Sequence, residues 1–566
     1  MENIRIQGIG SNGHKKESYM VNIHPKIIEL LGNRGITDIE VCQELLSEQP
    51  QMTYDPFLLH HMREGVDLLL TSIQQKKRIC IYGDYDVDGI TSIAILFTVL
   101  AQLTDSLEYY IPSRFDEGYG LNKDALKKLK DRGVDLVVTV DLGSVAVEEI
   151  QFAKEIGLEI LVTDHHSIGE SQGDCLMINP KKKECSYPFK DLAGCGVAYK
   201  LAQGIQRTAH LPKRVLLDVL DLLAIGTIGD IVPLVDENRT FAKYGIQKLN
   251  QTTRPGLIQL AEGASLVPGR IHSEQVSYVL VPHLNAAGRI TDAEIALKVL
   301  QEDDQEAVRQ GVDILLGHNR ERRRLQEEAV QSLKKRVEPR KDNDLFYVIY
   351  TKETHEGIAG IVAGKLKDYY RRPVAIVTPS ESGVKGTSRS LETINLYELL
   401  KRHKEFFTKF GGHAMACGFS MKEEDIPGLQ QALNEDLENL LRENAHLFEP
   451  ERRVDLKMDP GEITVDFVEA LSRLAPFGSG WPKPVVKLEN VELQKVIPMG
   501  TMGQFYRFQM IGVDGSFLKG VCFQQRDQQP EILSGTRADV YGTPEIHEYN
   551  GNQSLQLNVL EITRRG

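Results

Sequence analysis

The chain has 566 residues, of which 41% are hydrophobic and 26% charged, and its formal net charge is −13; it is long enough to form several domains with their own cores. The negative balance excludes indiscriminate binding to polyanions, so affinity for nucleic acid must come from local basic surface. No uncharged apolar run reaches the roughly 18 residues of a membrane span and the N-terminus lacks a basic flank before an apolar core, so neither a span nor a signal peptide is expected and the cytoplasm is the default.

Residues 1–60 read as a mostly helical lead-in with little chemistry. Over 61–300 strand-like and helical runs alternate: RICIY at 78–82, a helical pattern over 91–103, YYI at 109–111, a second helical pattern over 122–130, LVVTV at 136–140 and ILVT at 160–163. Such alternation predicts an α/β lobe on a parallel sheet. The connecting segment, 301–340, carries a long helical pattern over 304–337, with Leu325, Ala329, Leu333 and Val337 spaced by four. A second α/β lobe over 341–450 opens with the strand-like LFYVIY at 345–350. Residues 451–566 change to short alternating segments such as FYRF at 505–508 and LQLNV at 555–559, and the step Tyr549, Asn550, Gly551 suggests a tight hairpin turn. A small β-barrel of the OB type is the natural reading of that region.

Acidic or histidine clusters follow the strand-like runs of the first lobe. Asp84, Asp86 and Asp88 follow the run at 78–82, Asp141 follows 136–140, Asp164, His165 and His166 follow 160–163, and Asp230 lies further on. Three carboxylates at alternating positions repel one another and hold their protons unless a cation sits among them. Oxygen ligands with one or two imidazoles suit Mn²⁺ or Mg²⁺, whereas structural zinc recruits thiolates at fixed spacing. The seven cysteines contain no CxxC pair, and most lie in apolar surroundings, as Cys80 and Cys522 do, which indicates reduced buried thiols. Cys175, Cys185 and Cys195 are too widely spaced for a zinc site. A lone DxD is usually a solvated turn, and a lone His pair usually ligates nothing. Here all the clusters follow strands of one βαβ succession, whose C-terminal ends open on one crevice, and the joint pattern describes a two-metal hydrolytic site.

The segments YGDYDVDGITS (82–92), VDLGS (140–144), VTDHHS (162–167) and GTIGDIVPL (226–234) resemble motifs I to IV of the DHH phosphoesterase superfamily. HLNAAGRI (283–290), GIAGIVAGKL (357–366), KGTSRS (385–390) and FGGHAMACGF (410–419) resemble the second half of its single-strand-specific 5′ to 3′ DNA exonucleases. The similarity runs from about residue 60 to the end. Two departures stand out: Tyr82 occupies a position where many relatives have histidine, which throws more of the first metal site onto Asp84 and Asp86, and Leu142 and Ser144 are uncommon in motif II. Asp141 itself is retained.

The resemblance implies a parallel-sheet DHH lobe and a DHH-associated α/β lobe joined by a long helix beside the substrate channel, plus a C-terminal OB-type barrel. It implies two Mn²⁺ or Mg²⁺ ions and removal of 5′-mononucleotides from single-stranded DNA in recombination and repair. Asp141 would bridge the ions, Asp84 and Asp86 would serve mainly one, and Asp88, His165 and Asp230 the other. His166 would meet the scissile phosphate or leaving oxygen, with Asp164 orienting an imidazole. The guanidinium fork of Arg389, with Thr387 and Ser388, suits a terminal phosphate. Gly411, Gly412 and His413 would let backbone N–H groups approach closely, and Asn285, Arg289 and Arg114 would face the same phosphates. Expected partners are single-stranded DNA, a single-strand-binding protein and a helicase, with no membrane, for a monomer.

Local basic surface is offered by the NRERRR run at 319–324, by Lys365, Lys367, Arg371 and Arg372, and by Lys401, Arg402 and Lys404. Tyr506, Tyr541 and Tyr549 are candidates for base stacking on the barrel, whose removal near residue 450 is expected to spare short substrates. Two other functions fit less of the sequence. A phosphoesterase of small substrates would not need the barrel, and a catalytically dead scaffold would have lost acids that are all present here.

Overall fold

The computed structural model describes residues 23–565 except 49–52, 115–116, 119, 170–172, 381–382, 450–452, 501–502, 504, 524–533 and 550–551. Strands β1 (Ile79–Gly83), β2 (Leu107–Tyr110), β3 (Leu136–Val140), β4 (Glu159–Thr163) and β5 (Leu176–Ile178) form a wholly parallel sheet in the order β2-β1-β3-β4-β5. Every residue of β1 and β3 is buried, as continuous apolar strands must be when helices cover both faces. Strand order reverses between β1 and β3, so their C-terminal ends flank the crevice where open α/β sheets bind ligands.

The helix after β1 spans Val87–Leu100 rather than starting at 91. Asp86 begins it by accepting the N–H groups of Asp88 and Gly89 at 2.9 and 3.2 Å. Because nearly all of this helix is buried, its apolar pattern has no polar face to mark its start. Asn122 caps the Lys123–Asp131 helix, and Asp304 caps the 33-residue Gln305–Val337 helix, close to where their patterns begin in the sequence.

A second, mixed sheet contains β6 (Tyr347–Tyr350), β7 (Val374–Ser380), β8 (Gly383–Arg389), β9 (Phe407–His413) and β10 (Ala416–Met421) in the order β6-β7-β8-β10-β9. The third contains β11 (Leu456–Met458), β12 (Val486–Met499), β13 (Phe505–Ile511), β14 (Phe517–Cys522), β15 (Thr536–Tyr549) and β16 (Asn552–Arg564). Its last five strands close into a barrel, because β12 pairs with both β13 and β15 while β14 runs parallel to β16. Closure removes the free edges an open sheet would expose. The pairing of β15 with β16 reaches Tyr549 opposite Asn552; the turn expected at Tyr549, Asn550 and Gly551 falls partly outside the described residues.

One apolar core runs without interruption from Ile27 and Leu30 of the lead-in, through Ile81, Ile93 and Val138 of the first lobe, to Trp481, Val486 and Leu557 of the C-terminal unit. The second lobe has its own core around Phe346, Leu400, Leu429 and Leu433. The lead-in is helical as expected, and its helices Pro25–Asn33 and Ile39–Leu46 are built into the main body. Arg34, with its side chain buried, donates to both carboxylate oxygens of Asp455 at 2.7 and 3.1 Å.

Tyr506 is 3% exposed, inside the barrel, so it is no stacking platform. Tyr541 is half-buried beneath the Lys487 ammonium, and nothing is described for the Tyr549 side chain. Among the described residues, the exposed aromatics here are Phe517 of β14 and Phe523 just past its end, the latter edge-on to Phe505 at 5.7 Å. No helix among the described residues is long and apolar enough to cross a membrane.

Candidate metal centre

The acids after β1 and β3 converge with those of two further elements. Three groups have ligand atoms within 4.8 Å of one another: Asp84, Asp86 and Asp141; Asp88, His165 and Asp230; and Asp141, His165 and His166. Asp141 and His165 each belong to two groups. The His165 Nε2 lies 3.2 Å from Asp141 Oδ1, 3.6 Å from Asp230 Oδ2 and 3.9 Å from Asp88 Oδ2.

Each side chain is aimed by its backbone. Asp141 has φ +62°, a left-handed conformation that Asp tolerates better than most residues. Asp230 is the C-cap of the Leu220–Gly229 helix. Asp88 is fixed at long range, its two carboxylate oxygens accepting the N–H groups of Gly194 and Cys195 at 2.7 and 2.8 Å. Those amides open the Gly194–Thr208 helix, whose positive end favours a carboxylate. A Cβ on Gly194 would come within 2.5 Å of Asp141 Oδ1, so this glycine lets the helix end approach two acids at once. The GCG at 194–196 is the signal in the sequence for this approach, and the motif pattern alone does not single it out.

Behind the acids lies an orienting layer. Asp164 accepts from the backbone N–H of Ser144 at 2.8 Å and of His165 at 2.7 Å, and its Oδ1 is 2.8 Å from His166 Nδ1. Burial alone would push the Asp164 carboxyl up, yet His166, His165 and Ser144 hold it below the ordinary range. Burial works likewise against protonation of His166, and Asp164 reverses that, raising the imidazole above its usual value. Asn179, also missed in the sequence, donates to Ser144 Oγ at 2.8 Å and to the His166 carbonyl at 2.9 Å.

Asp84 Oδ1, Asp141 Oδ1 and both ring nitrogens of His165 are buried without a hydrogen-bond partner. Each such atom costs about 1–3 kcal/mol, which a protein sustains where something else is meant to occupy the lone pairs. The donor set, carboxylates with imidazole and no thiolate, fits hard divalent cations such as Mn²⁺ or Mg²⁺. Burial pushes His165 down to about 4, keeping it neutral and able to ligate.

Asp84, Asp88, Asp141 and Asp230 are all raised above the ordinary carboxylate range, chiefly by burial, with neighbouring acids adding to it. A folded-state value above the unfolded one means that the folded protein binds more protons, so its metal-free stability falls as pH rises above about 4. The thermal midpoint of the chelated protein is expected to drop between about pH 5 and about pH 7.5, and Mn²⁺ to stabilise more at the upper end. Identical pH slopes with and without Mn²⁺ would contradict this.

The residues expected to meet phosphates divide. Arg114 comes close enough to act on both Arg289 and Arg389: Arg289 is lowered to about 10, first by burial and then by Arg114, and Arg389 is lowered by burial with Arg114 contributing. Gly360 leaves room for Arg389, since a Cβ there would meet Nη2 at 2.8 Å. Thr387 shares the accessible face of β8 with Arg389. Ser388 does not, because side chains alternate along a strand; it is fully buried and donates to the Cys417 carbonyl at 2.9 Å. Asn285 accepts the Val87 N–H at 2.7 Å, which commits its oxygen to motif I. Gly412 serves strand pairing: at φ +142° a Cβ would lie 2.4 Å from the Ala416 carbonyl oxygen. His413 does reach the site, its ring 6.3 Å from that of His166 and nearly parallel.

Tyr82 turns away from the acids toward the Gly120 carbonyl and Asn122. In the 319–324 run Arg324 is taken by Glu321 and Glu328, while Arg322 is buried against Asn319 and Gln326. Of the second-lobe cations, Lys367 pairs with Asp368, Arg402 with Asp436, and Arg372 packs on the Phe448 ring. Lys181, not singled out in the sequence, is close enough to act electrostatically on Asp230, His165 and His413.

Comparison with known proteins identifies the family. Residues 78–227 match the family described as DHH family, N-terminal domain, residues 343–439 the DHHA1 domain, and residues 454–561 the RecJ OB domain. The single-stranded-DNA-specific exonuclease RecJ of Bacillus subtilis (strain 168) is 37% identical over 551 residues, covering 96% of this chain and 69% of that protein. Its namesake in Haemophilus influenzae is 31% identical over 563 residues, covering 95% and 96%. The crystal structure of RecJ in complex with Mn²⁺ from Thermus thermophilus superposes with a TM-score of 0.81 at 28% identity, covering 96% of this chain and 76% of that one. This chain belongs to the RecJ family of single-stranded-DNA-specific exonucleases, within the wider DHH family.

Proposed function

We propose that this protein hydrolyses single-stranded DNA from its 5′ end, releasing 5′-mononucleotides, with two Mn²⁺ or Mg²⁺ ions held by Asp84, Asp86, Asp88, Asp141, His165 and Asp230. The observation that carries this reading is the sharing of Asp141 between two ligand groups in which Asp84 Oδ1, Asp141 Oδ1 and both His165 ring nitrogens are buried without a hydrogen-bond partner. When bound, such ions lower the pKa of a water and stabilise the attacking and leaving oxygens of an in-line displacement at phosphorus. Asp84 and Asp86 serve one side of Asp141, and Asp88, His165 and Asp230 the other. His166, held at Nδ1 by Asp164 and biased toward protonation, contacts the scissile phosphate and supplies a proton to the leaving oxygen.

Arg389, Arg289 and Arg114 receive the terminal phosphate, with Thr387 beside them. Replacing Arg389 by alanine is expected to weaken use of 5′-phosphorylated strands by about 1.5–3 kcal/mol, the range for a charged hydrogen bond, or about 10–150-fold in kcat/KM. Equal loss on 5′-hydroxyl strands would show that Arg389 acts elsewhere.

The barrel holds strand away from the cut, by stacking on Phe505, Phe517 and Phe523. The protein works as a cytoplasmic monomer beside a single-strand-binding protein and a helicase, in recombination and repair. The deciding experiment is digestion of 5′- and 3′-labelled single strands of DNA and RNA, with matched duplexes, under each metal. Release of label from 3′ ends first, or equal cutting of duplex, would overturn the reading.

A further inference from the structure

The residue after Asp230 is held in a backbone conformation that does not suit it. Asp230 caps the Leu220–Gly229 helix, and Ile231 follows with φ +62°, its N–H returning to the Ile228 carbonyl at 3.3 Å. Helices commonly end on a left-handed residue at this position, and glycine usually fills it because it has no Cβ to clash. For a β-branched side chain such a φ is an outlier. Of the non-glycine residues with positive φ among those described, Ile231 is the only β-branched one.

Packing does not offset that strain. Ile228, Val232 and Leu234 on either side join the main core, whereas Ile231 is 69% exposed. Glycine here would relieve the backbone and take an apolar side chain out of water, so folding alone does not account for isoleucine. Residues held in such strain cluster where a site uses their side chains.

The surroundings suit one kind of ligand. Asp230 Oδ2 lies 3.6 Å from His165 Nε2, and consecutive Cα atoms are about 3.8 Å apart, so Ile231 stands at the rim of the metal centre. Lys181, which is exposed, acts electrostatically on the same Asp230. An apolar side chain and an ammonium beside one carboxylate match what a nucleotide presents, a flat base and an anionic backbone. The arginines give the direction of the strand. Arg114 acts on Asp84, and Asp86 acts on Arg289, so the terminal phosphate is received on that side of Asp141. Asp230 stands on the other side, with Asp88 and His165, and strand beyond the scissile phosphate lies toward it. We propose that Ile231 packs against the base of the second nucleotide, the one that becomes the new 5′ end, and holds it while the first is cut, with Lys181 facing the backbone there. This rests on the 5′ reading above. The contact is to a base face, so it serves any sequence, and it makes Ile231 a substrate-positioning residue.

The test follows release of the first nucleotide from a short 5′-phosphorylated strand by the full-length chain with Mn²⁺, alongside thermal melting without metal. Ile231→Gly should lower kcat/KM about tenfold, the order set by uncovering one aliphatic side chain, while its melting temperature stays level or rises. Ile231→Val, which keeps the apolar face, should retain most of the rate. An abasic second nucleotide should slow the unsubstituted chain by a similar factor and Ile231→Gly by less than about twofold, because base and side chain then belong to one interaction. An abasic fourth nucleotide should affect both proteins alike. Equal factors for the abasic second nucleotide in the two proteins, or an unchanged rate in Ile231→Gly, would overturn the contact. A clear fall in the melting temperature of Ile231→Gly would show that isoleucine serves the fold instead. Failure of the unsubstituted chain to release a 5′-mononucleotide from the intact strand would overturn the 5′ reading, and this inference with it.

Discussion

Asp141→Asn is expected to lower turnover at saturating Mn²⁺ by about 10³-fold or more. Losing a bridging carboxylate removes several kcal/mol of stabilisation from the transition state, and each 1.36 kcal/mol is about tenfold. Asparagine is the informative replacement because it tolerates the left-handed φ of +62° at this position, so the loss reports charge rather than backbone. The metal-free protein should not be destabilised. Asp141 is buried among Asp88, Asp86, Asp230 and Asp84, which raise its pKa after burial itself, and removing one charge relieves the others. Kinetics with metal and melting without it therefore move independently. Near-normal hydrolysis by Asp141→Asn would sink the bridging assignment.

Lys200→Met should cost about 3–5 kcal/mol of stability, the usual consequence of stranding one partner of a buried ion pair. Lys200 and Glu237 are 0% and 2% exposed, and Glu237 also accepts from the Tyr187 hydroxyl and from the Tyr54 N–H. Methionine would keep most of the packing volume and leave the carboxylate without its cation. The double variant Lys200→Met with Glu237→Leu should recover much of the loss, since a well-packed apolar pair often does as well as the ions. Urea unfolding of the four proteins gives the coupling directly. A single-variant loss below about 1 kcal/mol, the level of an exposed pair, would show that Glu237 is neutralised by other means.

Most acids of the metal centre could be located from sequence because they follow β1, β3 and β4 within a few residues, and those strands are marked by unbroken apolar runs; Asp230 instead ends a buried apolar helix, Leu220–Gly229, whose run reads like a strand. Local signals do not report distant anchors. The Gly194 and Cys195 amides that hold Asp88 lie 106 and 107 residues away from it, and nothing near Asp88 announces them. Ser388 could have been set aside by strand parity, since Arg389 and Thr387 must then share the opposite face. Asn285 sits beside the expected phosphate residues in sequence, yet its carboxamide oxygen is used on motif I. The lead-in reads as a segment without a role because its purpose, Arg34 against Asp455 across 421 residues, is wholly tertiary.

The two lobes touch at two points near the metal centre. His166 faces His413 across 6.3 Å, and the Arg289 side chain reaches the Gly357 carbonyl at 3.3 Å, where a Cβ on Gly357 would already be 2.2 Å from the Arg289 carbonyl oxygen. An opening pinned at two points behaves as a gauge: what enters is sorted by thickness before any base is read. For an enzyme of this kind, the rate on a blunt duplex is then governed by how often the end frays, and should follow the stability of the terminal base pairs while the rate on an open strand does not.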